Sequence, residues 1–195
     1  MNGKRAEPKD RIKSGQSIRV PPLKIEAPKP KDDAPQGNKD RAFIKSITLF
    51  EDDDVMVLVE IPAGSRNKYE MDHDTGAIWL DRTLFTATQY PLDYGFFPNT
   101  LGEDGDPLDV LVLLTEPTFP GCLIPCDPVG VLHMHDEAGD DPKFLMIPHD
   151  DPSWSHNEHL ADINPNLLEE IAHFFSVYKD LEEHKSVTIG DWDDR

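Results

Sequence analysis

The sequence has few cysteines and no long apolar run, and each shortage excludes a class of protein. Cys122 and Cys126 are the only cysteines among 195 residues, too few for the disulfide framework of a secreted domain. No stretch approaches the ~18 consecutive apolar residues that a membrane span needs. The charged amino terminus is not followed by the apolar segment of a secretory signal, so we expect a cytoplasmic protein without membrane attachment. Targeting to an organelle stays an alternative.

Basic residues are scarce over most of the chain. Residues 1–45 hold 12 of the 19 Lys and Arg but 6 of the 38 Asp and Glu, which leaves 7 basic and 32 acidic residues, a formal charge of −25, in residues 46–195. Such an acidic body repels nucleic acid and anionic membranes, so we expect neither as a partner. Its few basic residues either mark an anion-binding site or pair with neighbouring acids, and the charge counts leave both interpretations open.

Composition also divides the chain into two parts. Residues 1–42 are rich in Lys and Pro, have little apolar periodicity and are predicted to form a disordered tail. Residues 43–195 are predicted to form a single domain, whose length lies within the usual range of about 100–200 residues.

The domain contains several short strand patterns. Val55–Ile61 is a β-branched run that ends at Pro62, and Lys68–Asp72 and Ala77–Arg82 flank a polar loop that predicts a hairpin. Further apolar runs, bounded by Pro, Gly or Asp, predict three more strands: Val110–Leu114, Val129–Met134 and Phe144–Ile147.

One helix is clearly marked. Asn164 is a good N-cap, and Pro165 occupies the first helical position. An apolar stripe at helical spacing follows, formed by Leu167, Ile171, Phe174 and Tyr178. Together with the strand patterns, this predicts an α+β fold: a small, twisted antiparallel β-barrel (OB-like) flanked by a few helices.

Three aspartates fall within six residues. The segment Asp-Gly-Asp-Pro-Leu-Asp contains Asp104, Asp106 and Asp109 and immediately precedes the apolar run Val110–Leu114. Carboxylates this close repel one another, and a hard divalent cation would neutralise them. The segment lacks the Gly and Glu positions of an EF-hand loop. A solvated turn capped by aspartates is an alternative that this motif alone leaves open.

A second acidic cluster favours the metal hypothesis. Asp136, Glu137, Asp140 and Asp141 follow an apolar run and precede Lys143. Two carboxylate clusters can hold several cations, as in enzymes that cleave phosphate bonds with paired metals, and Mg²⁺ suits such oxygen ligands. The basic residues would then bind the oxygens of a highly charged phosphate: Lys68, Arg82, Lys143 and Lys179.

A series of short motifs runs in order from about Val57 to Trp192. They are Glu60-Ile-Pro, Lys68-Tyr-Glu70, Leu80-Asp-Arg82, Tyr90-Pro-Leu-Asp-Tyr94-Gly, Asp104-Gly-Asp-Pro-Leu-Asp109, Asp136-Glu-Ala-Gly-Asp-Asp141-Pro-Lys143 and His173-Phe-Phe-Ser-Val-Tyr178-Lys179-Asp. This series resembles the soluble inorganic pyrophosphatases of the single-domain barrel type. The aspartate segment is the most specific match.

The resemblance implies metal-binding and catalytic roles. Asp104, Asp109 and Asp141 would hold the activating metals, and Asp136 with Asp141 would hold a metal that arrives with the substrate. Glu70 would contact a further metal through water, so that several Mg²⁺ ions occupy one active site. Asp106 would act as general base toward a metal-activated water, and Tyr94 would join it in the catalytic set.

The resemblance also implies how the substrate is held. The phosphates of pyrophosphate would contact Lys68, Arg82, Tyr178 and Lys179, while Lys143 would neutralise the acidic cluster. Glu60, Tyr90 and Glu137 would line the site.

The implied reaction is the hydrolysis of pyrophosphate to two phosphates. Relatives form dimers or larger rings, so a homo-oligomer is expected, and they usually continue into another helix that this chain is expected to lack. A broader nucleoside-triphosphate or polyphosphate hydrolase is an alternative, as is a non-catalytic barrel that binds a ligand.

Overall fold

A computed structural model describes residues 55–72, 75–102 and 105–195. The tail predicted for residues 1–42 lies outside the described residues, and so does the predicted metal ligand Asp104.

The described residues contain nine strands and one α-helix. The strands are β1 (Val55–Ile61), β2 (Asn67–Asp72), β3 (Ala77–Thr83), β4 (Asp93–Phe96), β5 (Asp109–Val112), β6 (Leu123–Asp136), β7 (Gly139–Asp140), β8 (Lys143–Pro148) and β9 (Val187–Asp194). The helix α1 spans Pro165–Val177, and a short 3-10 turn, Leu160–Asp162, precedes it. No helix within this described part is long and apolar enough to cross a membrane.

Five strands close into a ring. They pair in the order β1, β4, β5, β8 and β6, and β6 pairs again with β1. Strands β7 and β9 both pair with β6, while β2 and β3 form a separate two-stranded sheet. The predicted α+β class, with strands predominating, is confirmed. The ring differs from a purely antiparallel one because β5 and β8 run parallel.

The ring strands β4, β5 and β8 are buried on both faces. Val110 and Val112 of β5 belong to one apolar cluster, which also contains residues of β1, β6 and β8. Leu111 and Leu113 point the other way into a second cluster, which includes residues of α1. Burial on both faces explains why β5 and β8 appear in the sequence as continuous apolar runs without alternation.

Helix α1 begins and packs as its sequence predicts. The Asn164 side chain accepts a hydrogen bond from the Asn166 amide, and Pro165 is the first helical residue. The helix buries Ile171, Phe174 and Phe175 against the ring. Its packing fixes the end of the helix, where Tyr178 is the C-cap and is itself buried.

A glycine allows β4 to approach β1 closely. Gly95 pairs with Val59, and a Cβ atom at Gly95 would overlap the carbonyl group of Leu58. Any larger residue would push apart the two strands that carry Tyr94 and Glu60.

Asp93 fixes the start of β4. Its side chain is buried, with one carboxylate oxygen accepting from the Ala63 amide at 2.8 Å. The other oxygen accepts from the amide and the hydroxyl of Thr118 at 2.8 and 2.6 Å. Asp93 therefore joins the end of β1 and the loop after β5 to the strand that carries Tyr94.

Replacing Asp93 by Asn should destabilise the protein. Both carboxylate oxygens of Asp93 accept hydrogen bonds, so the NH₂ group of Asn would face an N–H or O–H donor in place of an acceptor. A buried donor without an acceptor costs about 1–3 kcal/mol. We expect the free energy of unfolding, measured by denaturant titration, to fall by that amount. The exposed control Asp191→Asn should stay within about 0.5 kcal/mol of wild type. Equal stability of the two variants would contradict this role.

Candidate active site

A cavity of about 690 Å³ is lined by charged side chains from the hairpin β2–β3, the segment before β5, the β6–β8 region and the end of α1. Nine acidic and five basic residues line it. The structure brings together thirteen of the predicted site residues here: Glu60, Lys68, Glu70, Arg82, Tyr94, Asp106, Asp109, Asp136, Glu137, Asp141, Lys143, Tyr178 and Lys179.

The hairpin presents its charges through its register. Lys68 is the cross-strand partner of Arg82, and Glu70 is the partner of Trp79. Because directly opposed residues of an antiparallel pair share one face, these four side chains line the same wall. The ammonium group of Lys68 forms an ion pair with Glu70.

Lys143 is buried at the base of the cavity between two carboxylates. The parallel register of β5 and β8 places it opposite Asp109, and Nζ lies 2.5 Å from Asp109 Oδ2 while also binding Asp141. Its side chain is 1% exposed. Burial alone would lower the pKa of Lys143, but Asp109 and Asp141 outweigh burial and raise it. Lys143 therefore stays charged.

The positive charge of Lys143 does not fully compensate the negative charge of the carboxylates around it. Burial raises the pKa of Asp141, repulsion from Asp109 adds to this, and Lys143 opposes it without reversing it. The Tyr94 hydroxyl donates a hydrogen bond to Asp109, and burial with the charge of Asp109 raises the pKa of Tyr94 well above its ordinary value. Tyr94 is thus a neutral donor at working pH.

The end of α1 supplies a second cation and a second tyrosine. Lys179 Nζ lies 2.8 Å from Asp136 Oδ2. Burial would raise the pKa of Asp136, but the hydrogen bonds from Lys179 and the Ala138 amide lower it. Burial raises the pKa of Tyr178, so its hydroxyl is also neutral.

Glu60 reaches the cavity from an irregular point in β1. The register of β1 against β4 shifts between Val59 and Ile61, and such irregularities re-aim a side chain. Glu60 Oε1 accepts a hydrogen bond from the Met71 amide at 2.6 Å, which joins the hairpin to the ring. Burial raises the pKa of Glu60 to about 7, with further repulsion from Asp109 and Glu70.

Of the two remaining predicted residues, one is not described and the other is absent from the cavity lining. Asp104 is outside the described residues, and Tyr90 is buried behind the cavity wall, where its ring packs 5.3 Å from Tyr94 and 4.9 Å from Phe174 between centroids. Tyr90 therefore supports Tyr94 by packing against its ring. Sequence reasoning missed other lining residues: Asp72, Trp79, Asp81 and Lys185. Asp72, Trp79 and Asp81 lie in the same hairpin as the predicted Lys68, Glu70 and Arg82, and Lys185 lies in the segment between α1 and β9 that follows the predicted Lys179. This closeness in sequence could have indicated them.

The donor chemistry of the cavity fits hard divalent cations. Within the three described ranges, no three carboxylate, imidazole or thiol groups are arranged to hold a metal ion, and Lys143, Lys179 and Lys68 pair with the acids instead. Nevertheless, nine acidic groups exceed five basic ones. Carboxylate oxygens in such excess are the ligands that Mg²⁺ and similar ions prefer.

Comparison with known proteins identifies the family of this chain. Residues 57–195 match the family model "Inorganic pyrophosphatase". The chain is 61% identical over 138 residues to an inorganic pyrophosphatase of Leifsonia xyli, covering 71% of this chain and 85% of that protein. It is 60% identical over 136 residues to one of Streptomyces coelicolor, covering 70% and 83%.

A solved structure gives the same result for the fold. The crystal structure of inorganic pyrophosphatase from Thermus thermophilus superposes with a TM-score of 0.72 at 45% identity, covering 76% of this chain and 87% of that one. The fold is thus shared with a solved inorganic pyrophosphatase, which argues against a non-catalytic barrel. The chain belongs to the inorganic pyrophosphatase family, and the predicted enzyme class, hydrolysis of pyrophosphate, is confirmed.

Replacing Glu60 by Gln should stabilise the metal-free protein at high pH only. The pKa of Glu60 is 4.5 as a free side chain and about 7 in the fold, so the folded state holds the proton more tightly than the unfolded state. Stability therefore falls as pH rises from 4.5 to about 7. Gln resembles the protonated acid, so Glu60→Gln should raise the free energy of unfolding by about 1–3 kcal/mol near pH 8.

Well below pH 4.5 the same comparison should show little difference, because wild-type Glu60 is then protonated in both states. Unfolding is measured in excess chelator, with Glu183→Gln as the exposed control. A gain that is equal at both pH values would contradict the assigned pKa.

Proposed function

We propose that pyrophosphate is bound and hydrolysed in this cavity, with Asp106 as general base. The observation that carries the proposal is that excess carboxylates share one cavity with cations from two elements, Lys68 and Arg82 from the hairpin and Lys179 from the end of α1. A dianionic or more highly charged phosphate needs the cations, and the carboxylates need divalent ions if such an anion is to enter.

Lys68, Arg82, Lys179 and Tyr178 are proposed to bind the phosphate oxygens. The ion pairs of Lys68 with Glu70 and of Lys179 with Asp136 support this, because an ammonium group has three donors and can turn from a carboxylate to a phosphate. The neutral Tyr178 hydroxyl can donate a further hydrogen bond.

The proposed metal ligands are the carboxylates that these lysines contact, together with their neighbours: Glu70, Asp104, Asp109, Asp136 and Asp141. Bound Mg²⁺ would neutralise phosphate oxygens and acidify a coordinated water. Lys143 would keep Asp109 and Asp141 together as phosphate enters, because burial between them holds its ammonium in place. Glu137 and Glu60 would complete the acidic wall.

Asp106 is proposed to accept the proton of the attacking water. Asp106 lines the cavity next to Pro107, and Gly105 before it has φ 95°, a conformation that turns the chain sharply at this point. Tyr94 would act through its hydrogen bond to Asp109, which holds that carboxylate in one orientation. The charge that develops on the transferring phosphoryl group would be stabilised by Lys68 and Lys179.

We further infer a cytoplasmic homo-oligomer that uses Mg²⁺. The acidic body, which repels anionic membranes, supports the location. Several large apolar side chains are more than half exposed, which supports association with further copies: Phe85, Leu101, Phe119 and Leu181.

Asp106→Asn and Asp109→Asn should fail in different ways. Loss of a general base typically costs about 10²–10⁴ in rate, so Asp106→Asn should lose turnover by that factor while binding Mg²⁺ with near-normal affinity. Asp109→Asn should weaken Mg²⁺ binding itself, because it removes a proposed ligand.

Phosphate release and calorimetric Mg²⁺ titration measure the two effects, with the exposed Asp191→Asn as control. Equal loss of metal affinity in both variants, or near-normal turnover of Asp106→Asn, would overturn the proposed roles.

A further inference from the structure

The guanidinium of Arg82 is held by two carboxylates. Its Nε lies 3.1 Å from Glu182 Oε1, and its Nη1 lies 2.6 Å from Asp81 Oδ2. A guanidinium has five N–H donors, so these two contacts leave donors for phosphate oxygens. The two carboxylates differ in origin. Asp81 is adjacent to Arg82 and moves with β3, whereas Glu182 belongs to another part of the fold.

The contact with Glu182 joins elements that no strand pairing connects. Arg82 lies in the two-stranded sheet, and Glu182 lies 100 residues later in the turn after α1. The Glu182 amide donates to the carbonyl of Lys179 at 2.9 Å. Glu182 therefore ties the hairpin to the turn that follows Lys179, another cation of the cavity.

The pair is sheltered from solvent. The Glu182 side chain is 15% exposed and that of Arg82 is 34% exposed. Partial burial reduces the screening of these two charges by solvent, so they attract each other more strongly than a fully exposed ion pair does. Burial alone would lower the pKa of Arg82, but Glu182 and Asp81 outweigh burial and raise it.

We propose that Glu182 is a positioning residue for pyrophosphate hydrolysis, which orients the Arg82 guanidinium into the cavity and holds the hairpin wall at a fixed distance from the end of α1. Without the Glu182 carboxylate, Asp81 is the remaining ion-pair partner of Arg82 within the described ranges, and Asp81 cannot fix it relative to Lys179. This inference rests on the proposed phosphate contact of Arg82.

Steady-state kinetics with pyrophosphate at saturating Mg²⁺ test the proposal. Glu182→Ala and the similarly sized Glu182→Met, which has no comparable acceptor, should each raise KM about tenfold, within the range of coupled contacts. Their kcat should change less than about threefold, because the acids of the reaction are untouched. Glu182→Gln should restore most of the affinity, since its amide oxygen can accept from Nε. Glu183→Ala, which alters the exposed neighbour, should behave as wild type.

A double-mutant cycle separates positioning from a general structural role. Arg82→Ala should raise KM, and Glu182→Ala should add nothing further in the Arg82→Ala background, because Glu182 acts through Arg82. Thermal unfolding of each variant shows whether the protein remains folded, and Glu182→Met decides the question if Glu182→Ala does not fold.

The failures are distinguishable. An unchanged KM in Arg82→Ala would overturn the phosphate contact of Arg82, and with it the proposed function of that residue. A raised KM in Arg82→Ala combined with an unchanged KM in Glu182→Met, or with effects that add independently, would overturn the role of Glu182 alone.

Discussion

A buried ammonium group between two carboxylates is the constraint on which the site depends. Lys143 is almost inaccessible to solvent, and it remains charged because Asp109 and Asp141 face it. The parallel pairing of β5 and β8 sets this arrangement, since it places Asp109 opposite Lys143. Removing both carboxylates would leave an uncompensated buried charge, which is strongly destabilising. The ring is therefore built around a charged site rather than only an apolar core.

One buried cation does not satisfy the carboxylates around it. Nine acidic groups share the cavity with five basic ones, and the pKa of Glu60 rises to about 7 under burial and the repulsion of its neighbours. The hairpin supplies Lys68 and Arg82, and the end of α1 supplies Lys179. A contact from Glu60 joins the hairpin to the ring, and a contact from Glu182 to Arg82 joins the hairpin to the turn after α1. We propose that the resulting cavity receives a phosphate anion when divalent cations enter with it.

The sequence allowed the lining of the cavity to be predicted better than the topology. Asp106, Asp109 and Lys143, which line it together, stand in motifs that combine residue type with fixed local spacing. The parallel pairing of β5 with β8 was missed because a continuous apolar run indicates burial on both faces but not strand direction. Strand β9 was missed because Val187–Asp194 is largely polar and exposed. The Arg82–Glu182 contact joins residues that no local pattern relates.

The central claim is that the acidic cavity works on pyrophosphate only when divalent cations neutralise it. The most direct test is the rate of phosphate release from pyrophosphate by the full chain in excess chelator, and again after Mg²⁺ is restored. The account predicts negligible release in chelator and full recovery with Mg²⁺. Substantial turnover in chelator would contradict it.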